Sequence, residues 1–418
     1  MSEHLLTLNA GSSSLKFALF EIAASGRPGQ SGAGPALRLA VRGGIDGPGG
    51  QGLLQVRDRH GRDIAPPREL GQMADTHAAL EHALAALRAA VPGMLIGGVG
   101  HRVVHGGAQF SAPAAVDENV LAQLDALISL APLHQPHNVA CIRAARSAFP
   151  QAVQVACFDT AFHRTHDFVE DVYALPRSFY DRGIRRYGFH GISYQYIASQ
   201  LPLVAPVLAS GRTVVAHLGN GASLCALRAG RSVSSTMGFS PLDGLPMGTR
   251  SGSVDPSVLL WLLQNEGLDA AELADLLYRE SGLKGLSGVS ADMRLLLAST
   301  TSGAREAVDF FVARVQREIG ALAAVLEGID GIVFTAGIGE HAAPIRARIL
   351  AGMGWLGVEP DRAANGSYDG AGPACLTKSG SRVQAWVIPT DEEGMIADHT
   401  AHFLPSSGTG EARPPPIA

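Results

Sequence analysis

The sequence predicts an α/β protein built from two similar domains, and three observations carry that prediction. Strand-like apolar runs alternate with helical Ala/Leu periodicity through both halves of the chain, the pattern of α/β architecture. At 418 residues the chain is too long for one ordinary domain. Finally, TLNAGSSSLKFAL (residues 7–19) and AHLGNGASLCAL (residues 216–227) share one shape. In each, a strand meets a small-residue turn containing an Asn, then Ser-Leu and a returning strand. The repetition points to two halves, each opening with a hairpin whose turn presents backbone N–H groups.

The elements follow in order. Leu5-Leu6-Thr7-Leu8 reads as a short strand, Ala10 to Ser14 as a turn, and Leu15 to Ile22 as an alternating second strand. Residues 24–52 are rich in Gly, Pro and Ala with weak periodicity, which predicts a loop or ragged edge strands. In residues 74–91 Ala and Leu recur at three and four, the spacing of a helix. Ile96 to Val104 returns to strand and runs into His105-Gly106-Gly107. Residues 117–130 are helical and stop before Pro132. Val153 to Phe158 is a buried strand leading to Asp159-Thr160.

The second half starts with strand Val214–Leu218, the turn Gly219 to Ala222, and strand Ser223–Leu227. Helices are expected at 255–266, 269–279 and 303–328. Strand Gly331–Thr335 then meets a turn over Ala336-Gly337-Ile338-Gly339-Glu340. A last strand, Val383 to Ile388, leads through Pro389-Thr390-Asp391-Glu392-Glu393 into a short helix. Residues 406–418 form a low-complexity tail, expected to be disordered.

Composition narrows the function classes. Lys+Arg 33 against Asp+Glu 38 leaves a net charge of −5, without the basic surplus of a nucleic-acid binder. With 46% hydrophobic residues and low net charge, the chain is not intrinsically disordered. Cys141, Cys157, Cys225 and Cys375 stand singly, so they form neither a disulfide framework nor a zinc knuckle. The N-terminus has an acidic residue where a signal peptide needs positive charge, and no window reaches 18 apolar residues. A cytoplasmic location without membrane contact is the resulting expectation.

Three Gly- and Ser-rich turns follow strands, at 9–14, 219–223 and 336–340. Each can hold phosphate through backbone amides, and none is a Walker loop. Arg102 and Arg250 lie in small-residue settings, HRVVHGG and MGTRSGSVDP, where arginine can fork onto carboxylate or phosphate oxygens. His190 is flanked by glycines, and His134 lies in LHQPHN. Asp159 ends a buried strand, where a carboxylate needs a partner or a job. Glu392 and Glu393 follow another strand end. Acidic strand ends without clustered Cys or His suggest a hard, oxygen-preferring ion such as Mg²⁺. Together these residues read as a nucleotide-dependent phosphotransferase, whose reaction needs positioning and charge neutralisation.

The chain resembles the acetate kinase family. The resemblance rests on NAGSSSLK (9–16), HRVVHGG (101–107), LAPLH (130–134), FDTAFH (158–163) and RYGFHG (186–191). It continues through HLGNGAS (217–223), MGFSPLDGLPMGTRSGSVD (237–255), SGVSADMR (287–294), FTAGIGE (334–340) and IPTDEE (388–393). It implies two ribonuclease H-like domains of the actin and Hsp70 type, with a nucleotide cleft between them. Their expected limits are 1–160 with 391–405, and 161–390. The implied reaction is reversible transfer of the ATP γ-phosphoryl group to acetate, giving acetyl phosphate and ADP. Mg²⁺, with Mn²⁺ as a substitute, is the implied metal, and a homodimer the implied assembly.

The resemblance also implies roles for single residues. Arg102 and Arg250 would hold the carboxylate and the transferring phosphoryl group. His190 would hydrogen-bond that group, His134 would support the same pocket, and Asp159 would orient the substrate or Arg102. Asn9 and Glu392 would bind the metal, and Ser12, Ser14 and Lys16 would line the phosphate path. Asn220 and Gly221 would contact the nucleotide phosphates, while Asp292, Arg294, Gly337 and Ile338 would hold adenosine. His217, Leu218, Gly219, Met293, Gly339 and Glu340 complete the nucleotide set. Val104, Leu133, Phe189 and Pro241 would enclose the acyl methyl group. Departures from the family pattern include Gln135-Pro136-His137, Met293, Ala336 and His341, and none removes a charged catalytic group. Propionate kinase is the neighbouring reading. A nucleotide-driven switch and a sugar kinase are more distant, because neither needs an arginine pair for an already ionised acceptor.

Overall fold

Each of the two hairpins read from the sequence begins a sheet. The computed structural model describes residues 3–11, 14–23, 36–47, 51–73 and 75–405. The chain divides into two units, Met1–Phe162 with Asp391–Ala418, and His163–Thr390. Ser12 and the expected tail at 406–418 lie outside the described residues.

The first unit contains β1 (Glu3–Ala10), β2 (Ser14–Ile22), β3 (Leu37–Asp46), β4 (Gln51–Asp58) and β5 (Arg68–Gln72). It continues with β6 (Leu95–Val103), β7 (Ala114–Ala115) and β8 (Val153–Phe158). Among the described residues these form one sheet in the order β5-β4-β3-β2-β1-β6-β8-β7. β1 pairs antiparallel with β2 and parallel with β6, and β6 pairs parallel with β8. Side chains on a strand alternate between faces. Leu6, Leu8, Phe17 and Leu19 therefore pack into a core with Ala79, Leu80, Ala83 and Leu87 of helix Thr76–Ala90. Leu5, Ala18 and Phe20 point to the opposite face, where Ala397 and Ala401 of helix Glu392–Ala401 cover them.

Two glycines on β6 set how closely that last helix approaches. A Cβ at Gly100 would lie 2.2 Å from Thr400 Oγ1 and 2.6 Å from Ile396 Cγ2, and one at Gly98 would lie 3.1 Å from Thr400 Cγ2. Residues this small let a helix lie directly on a sheet. The helix packs on β1 and β6, which brings its first residue, Glu392, to Arg102 near the end of β6.

The second unit repeats this arrangement. It contains β9 (Arg212–Leu218), β10 (Ala222–Arg228), β11 (Arg231–Ser235), β12 (Gly331–Thr335), β13 (Ala374–Cys375) and β14 (Gln384–Val387). Their order is β11-β10-β9-β12-β14-β13. β9 is antiparallel to β10 and parallel to β12, and β12 is parallel to β14. Strand for strand this matches β3-β2-β1-β6-β8-β7, with β4 and β5 as an extension of the first sheet. Helix Ser302–Val325 buries Ala304, Ala307, Val308, Phe311, Val312, Val315, Ile319, Leu322 and Ala323, a helical stripe facing the core. Thr301 caps it by accepting a hydrogen bond from the Ala304 N–H.

Two expectations are corrected. Within the stretch 24–52 expected as a loop or ragged edge, residues 37–46 and 51–52 instead belong to interior strands, because β3 pairs with both β2 and β4 and β4 also pairs with β5. Gly43 hides the periodicity: a Cβ there would lie 2.4 Å from the Phe17 ring, so the glycine is a packing surface. Residues 24–35 and 48–50 lie outside the described residues. The expected turn at 336–340 is instead the short helix Ala336–His341, entered with Ala336 at φ 64°.

Candidate active site

In the first unit, the candidate residues gather where parallel strands β1, β6 and β8 end, the usual ligand position in α/β sheets. Arg102, on β6, donates from Nε to Asp159 Oδ1 at 3.1 Å and from Nη2 to Asp159 Oδ2 at 2.5 Å. Its Nη1 donates to Asn9 Oδ1, on β1, at 3.2 Å. Glu392 Oε2 lies 3.9 Å from Arg102 Nε. Lys16 stands opposite Asn9 in the β1–β2 register, and Ser14 O accepts from the Gly11 N–H across the first turn. His134 is half-buried at the start of helix Gln135–Ala148.

Burial and charge compete in this cluster. Burial pushes the Asp159 carboxyl up to about 6, against the pull of the Arg102 guanidinium and with Glu392 adding to the rise. For Arg102, burial disfavours the charge, but Asp159 and Glu392 outweigh it and hold the guanidinium above its ordinary value. Glu393 is also raised, first by burial and then by the neighbouring Glu392 charge, while Lys16 pulls it down. Three carboxylates, Asp159, Glu392 and Glu393, thus face two cations. A hard cation fits that negative surplus, and Asn9 and Glu392 offer it oxygen donors. Among the described residues no group of three or more His, Cys, Asp or Glu forms a ready-made metal cage.

In the second unit, His190 caps helix Gly191–Val204 with φ 57°, a left-handed conformation rare for a residue with a side chain. Its Nδ1 lies 2.8 Å from Ser223 Oγ, and its ring stacks on His217 with centroids 4.1 Å apart. A Cβ at Gly221 would lie 3.3 Å from His190 Nε2 and 3.7 Å from Arg250 Nη1. The bare turn therefore lets the His190 ring and the Arg250 guanidinium approach the backbone. Arg250 Nη1 donates to Pro241 O at 3.2 Å, and the segment carrying it is stitched to its surroundings. Gly248 N donates to Asn220 O, and Leu283 N to Met247 O.

Beside this turn is a cavity of about 550 Å³ lined by Gly219, Asn220, Asp292, Met293, Arg294, Gly337 and Ile338, a volume suited to a nucleoside. Seven of the expected nucleotide residues thus share one cavity. Asp292 caps helix Met293–Ala298 and is held below the ordinary carboxylate range by hydrogen bonds from Arg294. The others stand elsewhere. Leu218 and Gly339 are buried in the core and do not line the cavity. Glu340 accepts from the Ala336 and Thr390 N–H groups at 2.7 and 3.1 Å, bracing the short helix rather than lining the cavity. The cavity also takes in Ala291, Leu297, His341, Ala342 and Pro344, most of which had no polar signal in the sequence.

Of the residues expected around the acyl group, Val104 and Leu133 belong to the first unit and Phe189 and Pro241 to the second. Val104, Phe189 and Pro241 are buried, and Leu133 is half-buried. Sequence reasoning missed Asn138. It is 2% exposed, accepts from the Val104 N–H at 3.0 Å and donates to Ala10 O at 2.6 Å. It thereby ties the end of β1 to the segment after Arg102. Two amides, Gln135 and Asn138, in the first turn of a helix face that is otherwise apolar were the available signal. Tyr194, which reaches Ser223 Oγ at 2.5 Å, was missed too.

Comparison with known proteins follows this geometry. The sequence model of the Acetokinase family matches residues 4–398. The acetate kinase of Methylocella silvestris is 54% identical over 406 residues, 97% of this chain and 98% of that protein. The crystal structure of Porphyromonas gingivalis acetate kinase superposes with a TM-score of 0.82 at 34% identity, covering 95% of this chain and 98% of its own. A propionate kinase from Francisella tularensis gives the same values, TM-score 0.82 and 34% identity, with 95% and 98% covered. These enzymes have the two-domain actin- and Hsp70-like fold, and this chain shares it. Matched by the family's sequence model over nearly its whole length, the chain belongs to the acetokinase family.

Proposed function

We propose that this protein is an acetate kinase, transferring the γ-phosphoryl group of ATP reversibly to acetate by direct in-line displacement. Family members use ATP as co-substrate and acetate as acceptor. The observation that carries the reading is the convergence of His190 Nε2 and Arg250 Nη1 on the Gly221 turn, beside the cavity lined by Asn220 and Asp292. Donors so arranged neutralise charge on a transferring phosphoryl group.

The acceptor arrives already ionised, so it needs a cationic clamp in place of a general base. Arg102 has five N–H donors, of which three are used on Asp159 and Asn9. The other two, one on each terminal nitrogen, suit the paired oxygens of a carboxylate. Asp159 fixes the guanidinium plane, and His134 supports the same pocket. On the first unit, Val104 and Leu133 offer apolar surface for the methyl group. Asn9 and Glu392 would hold Mg²⁺ or Mn²⁺. Bound there, the ion supplies charge neutralisation on the phosphate oxygens.

Helix Pro256–Asn265 buries none of its residues and exposes Leu260 at 56% and Trp261 at 52%. Exposed apolar stripes of this kind mark association surfaces, and we assign this one to a homodimer. Because acetate and ATP are cytoplasmic metabolites, we assign the enzyme to the cytoplasm; no described helix is long and apolar enough to cross a membrane. A second reading, propionate kinase, has the Francisella structure in its favour.

The test is acetate- and Mg²⁺-dependent ADP release, with acetyl phosphate trapped by hydroxylamine, in wild type and Arg250→Ala. Product formation that collapses in the folded variant is the expected result. ATP binding with no acyl phosphate from either acid would overturn the reading.

A further inference from the structure

Behind His190 lie two buried hydroxyls that form a chain. Ser223 Oγ stands 2.8 Å from His190 Nδ1 and 2.5 Å from the Tyr194 hydroxyl. Ser223 and Tyr194 are both fully buried, at 0% exposure. Burial, with Cys225 adding to it, keeps the Tyr194 phenol protonated well above its ordinary range. Among the described residues, Ser223 Oγ is the one hydrogen-bond partner of that phenol. Buried donors are satisfied in folded proteins, so Tyr194 donates to Ser223.

The direction of the second bond follows. Ser223 carries one proton, and His190 Nδ1 is its other partner among the described residues. Reversing the chain would leave the phenol proton without an acceptor. Letting both Tyr194 and Nδ1 donate to Ser223 would strand the serine proton. One arrangement satisfies every group: Tyr194 donates to Ser223, and Ser223 donates to Nδ1. A neutral imidazole whose Nδ1 accepts carries its proton on Nε2.

Nε2 is the atom aimed at the Gly221 turn, near Arg250 Nη1. The ring is further held by His217, whose own Nδ1 lies 2.9 Å from Ser193 Oγ. We propose that Tyr194 and Ser223 are positioning residues that lock His190 as its neutral Nε2–H tautomer, so that it presents a donor to phosphate oxygens. The opposite tautomer would present a lone pair to those oxygens and repel them. A histidine tautomer set by its outer partner is a known determinant of rate.

The inference rests on the role given to His190 in the proposed function, and its test reads the proton directly. Enzyme labelled with ¹⁵N-histidine is examined by two-bond ¹H–¹⁵N correlation near neutral pH, with His190 assigned through His190→Gln. A neutral Nε2–H signature in wild type is expected, and an Nδ1–H or doubly protonated ring overturns the proposal. Ser223→Ala and Tyr194→Phe should mix the tautomers and lower kcat by about 10- to 100-fold, with the KM for ATP changed far less. An unchanged tautomer and unchanged kcat in folded Ser223→Ala would also overturn it. If wild type made no acyl phosphate, the spectrum would still decide the tautomer, so the two readings fail separately.

Discussion

Asp159 grips Arg102 through both carboxylate oxygens, at 3.1 and 2.5 Å, while itself only 1% exposed. A carboxylate so buried is costly by itself and tolerable as half of a bidentate pair. The pair joins the residue after β8 to the penultimate residue of β6, so two strand ends share one charge relationship. Asn9 on β1 completes the triangle through Arg102 Nη1.

Replacing Asp159 by Asn keeps the shape but removes the charge. Breaking a buried pair by removing one partner costs about 3–5 kcal/mol. Glu392, 3.9 Å from Arg102, still offers partial compensation. The expected loss is therefore about 3 kcal/mol in urea unfolding. Acetate KM should rise as the guanidinium plane loosens. A variant with wild-type unfolding midpoint and KM would show that Asp159 does not hold Arg102 in place.

Gly248→Ala tests the nucleotide cavity. A Cβ there would lie 2.0 Å from Asn220 Oδ1, so the Asn220 amide must turn away. The backbone bond from Gly248 N to Asn220 O, at 3.0 Å, is compatible with alanine. The KM for ATP should rise about tenfold, or about 1.4 kcal/mol, with acetate KM nearly constant. An unaltered ATP KM would remove the Asn220 side chain from nucleotide binding.

The legible parts of this molecule are those where local chemistry is unusual. Small residues after strands marked the turns at Asn9 and Asn220, a small-residue setting marked Arg102, and a buried strand end marked Asp159. What escaped was defined by distant contacts. Gly43 reads as a break, yet it lies under Phe17; Gly98 and Gly100 read as weak strand residues, yet they seat the helix that carries Glu392. Tyr194 and Ser223 are 29 residues apart and each looks ordinary in its own element. Only the fold brings them behind His190.

Acid should unfold the first unit through buried neutral histidines. Burial lowers His101 to about 4, opposed by its bond to Gln154. The unfolded chain would protonate this ring at its ordinary value of 6.5. Between those values the unfolded state binds more protons, so the stabilisation is complete above the higher value and lost as pH falls toward the lower. The loss is about 2 kcal/mol at about pH 5. His399, also lowered to about 4 by burial and by His402, adds a second contribution. Urea midpoints at about pH 7.5 and about pH 5 should differ strongly in wild type and less in His101→Gln. Equal differences in the two proteins would exclude His101 as a source of the acid sensitivity.

The choice of acyl group should respond to Val104. This residue is 4% exposed, and its N–H is held by Asn138, so its side chain is a fixed wall. If that wall bounds the methyl pocket, shortening it leaves room for the additional methylene of propionate. One methylene is worth about 1–3 kcal/mol of discrimination in such a pocket. Val104→Ala should therefore raise the propionate-to-acetate ratio of kcat/KM by about tenfold or more. Because the variant also removes buried methyl groups, it should lose about 1–2 kcal/mol of stability, and the kinetics belong well below its unfolding temperature. A wild type that already prefers propionate would shift the assignment to the second reading. A folded Val104→Ala enzyme with an unchanged ratio would instead place the acyl wall on other residues, with Leu133 the next to substitute.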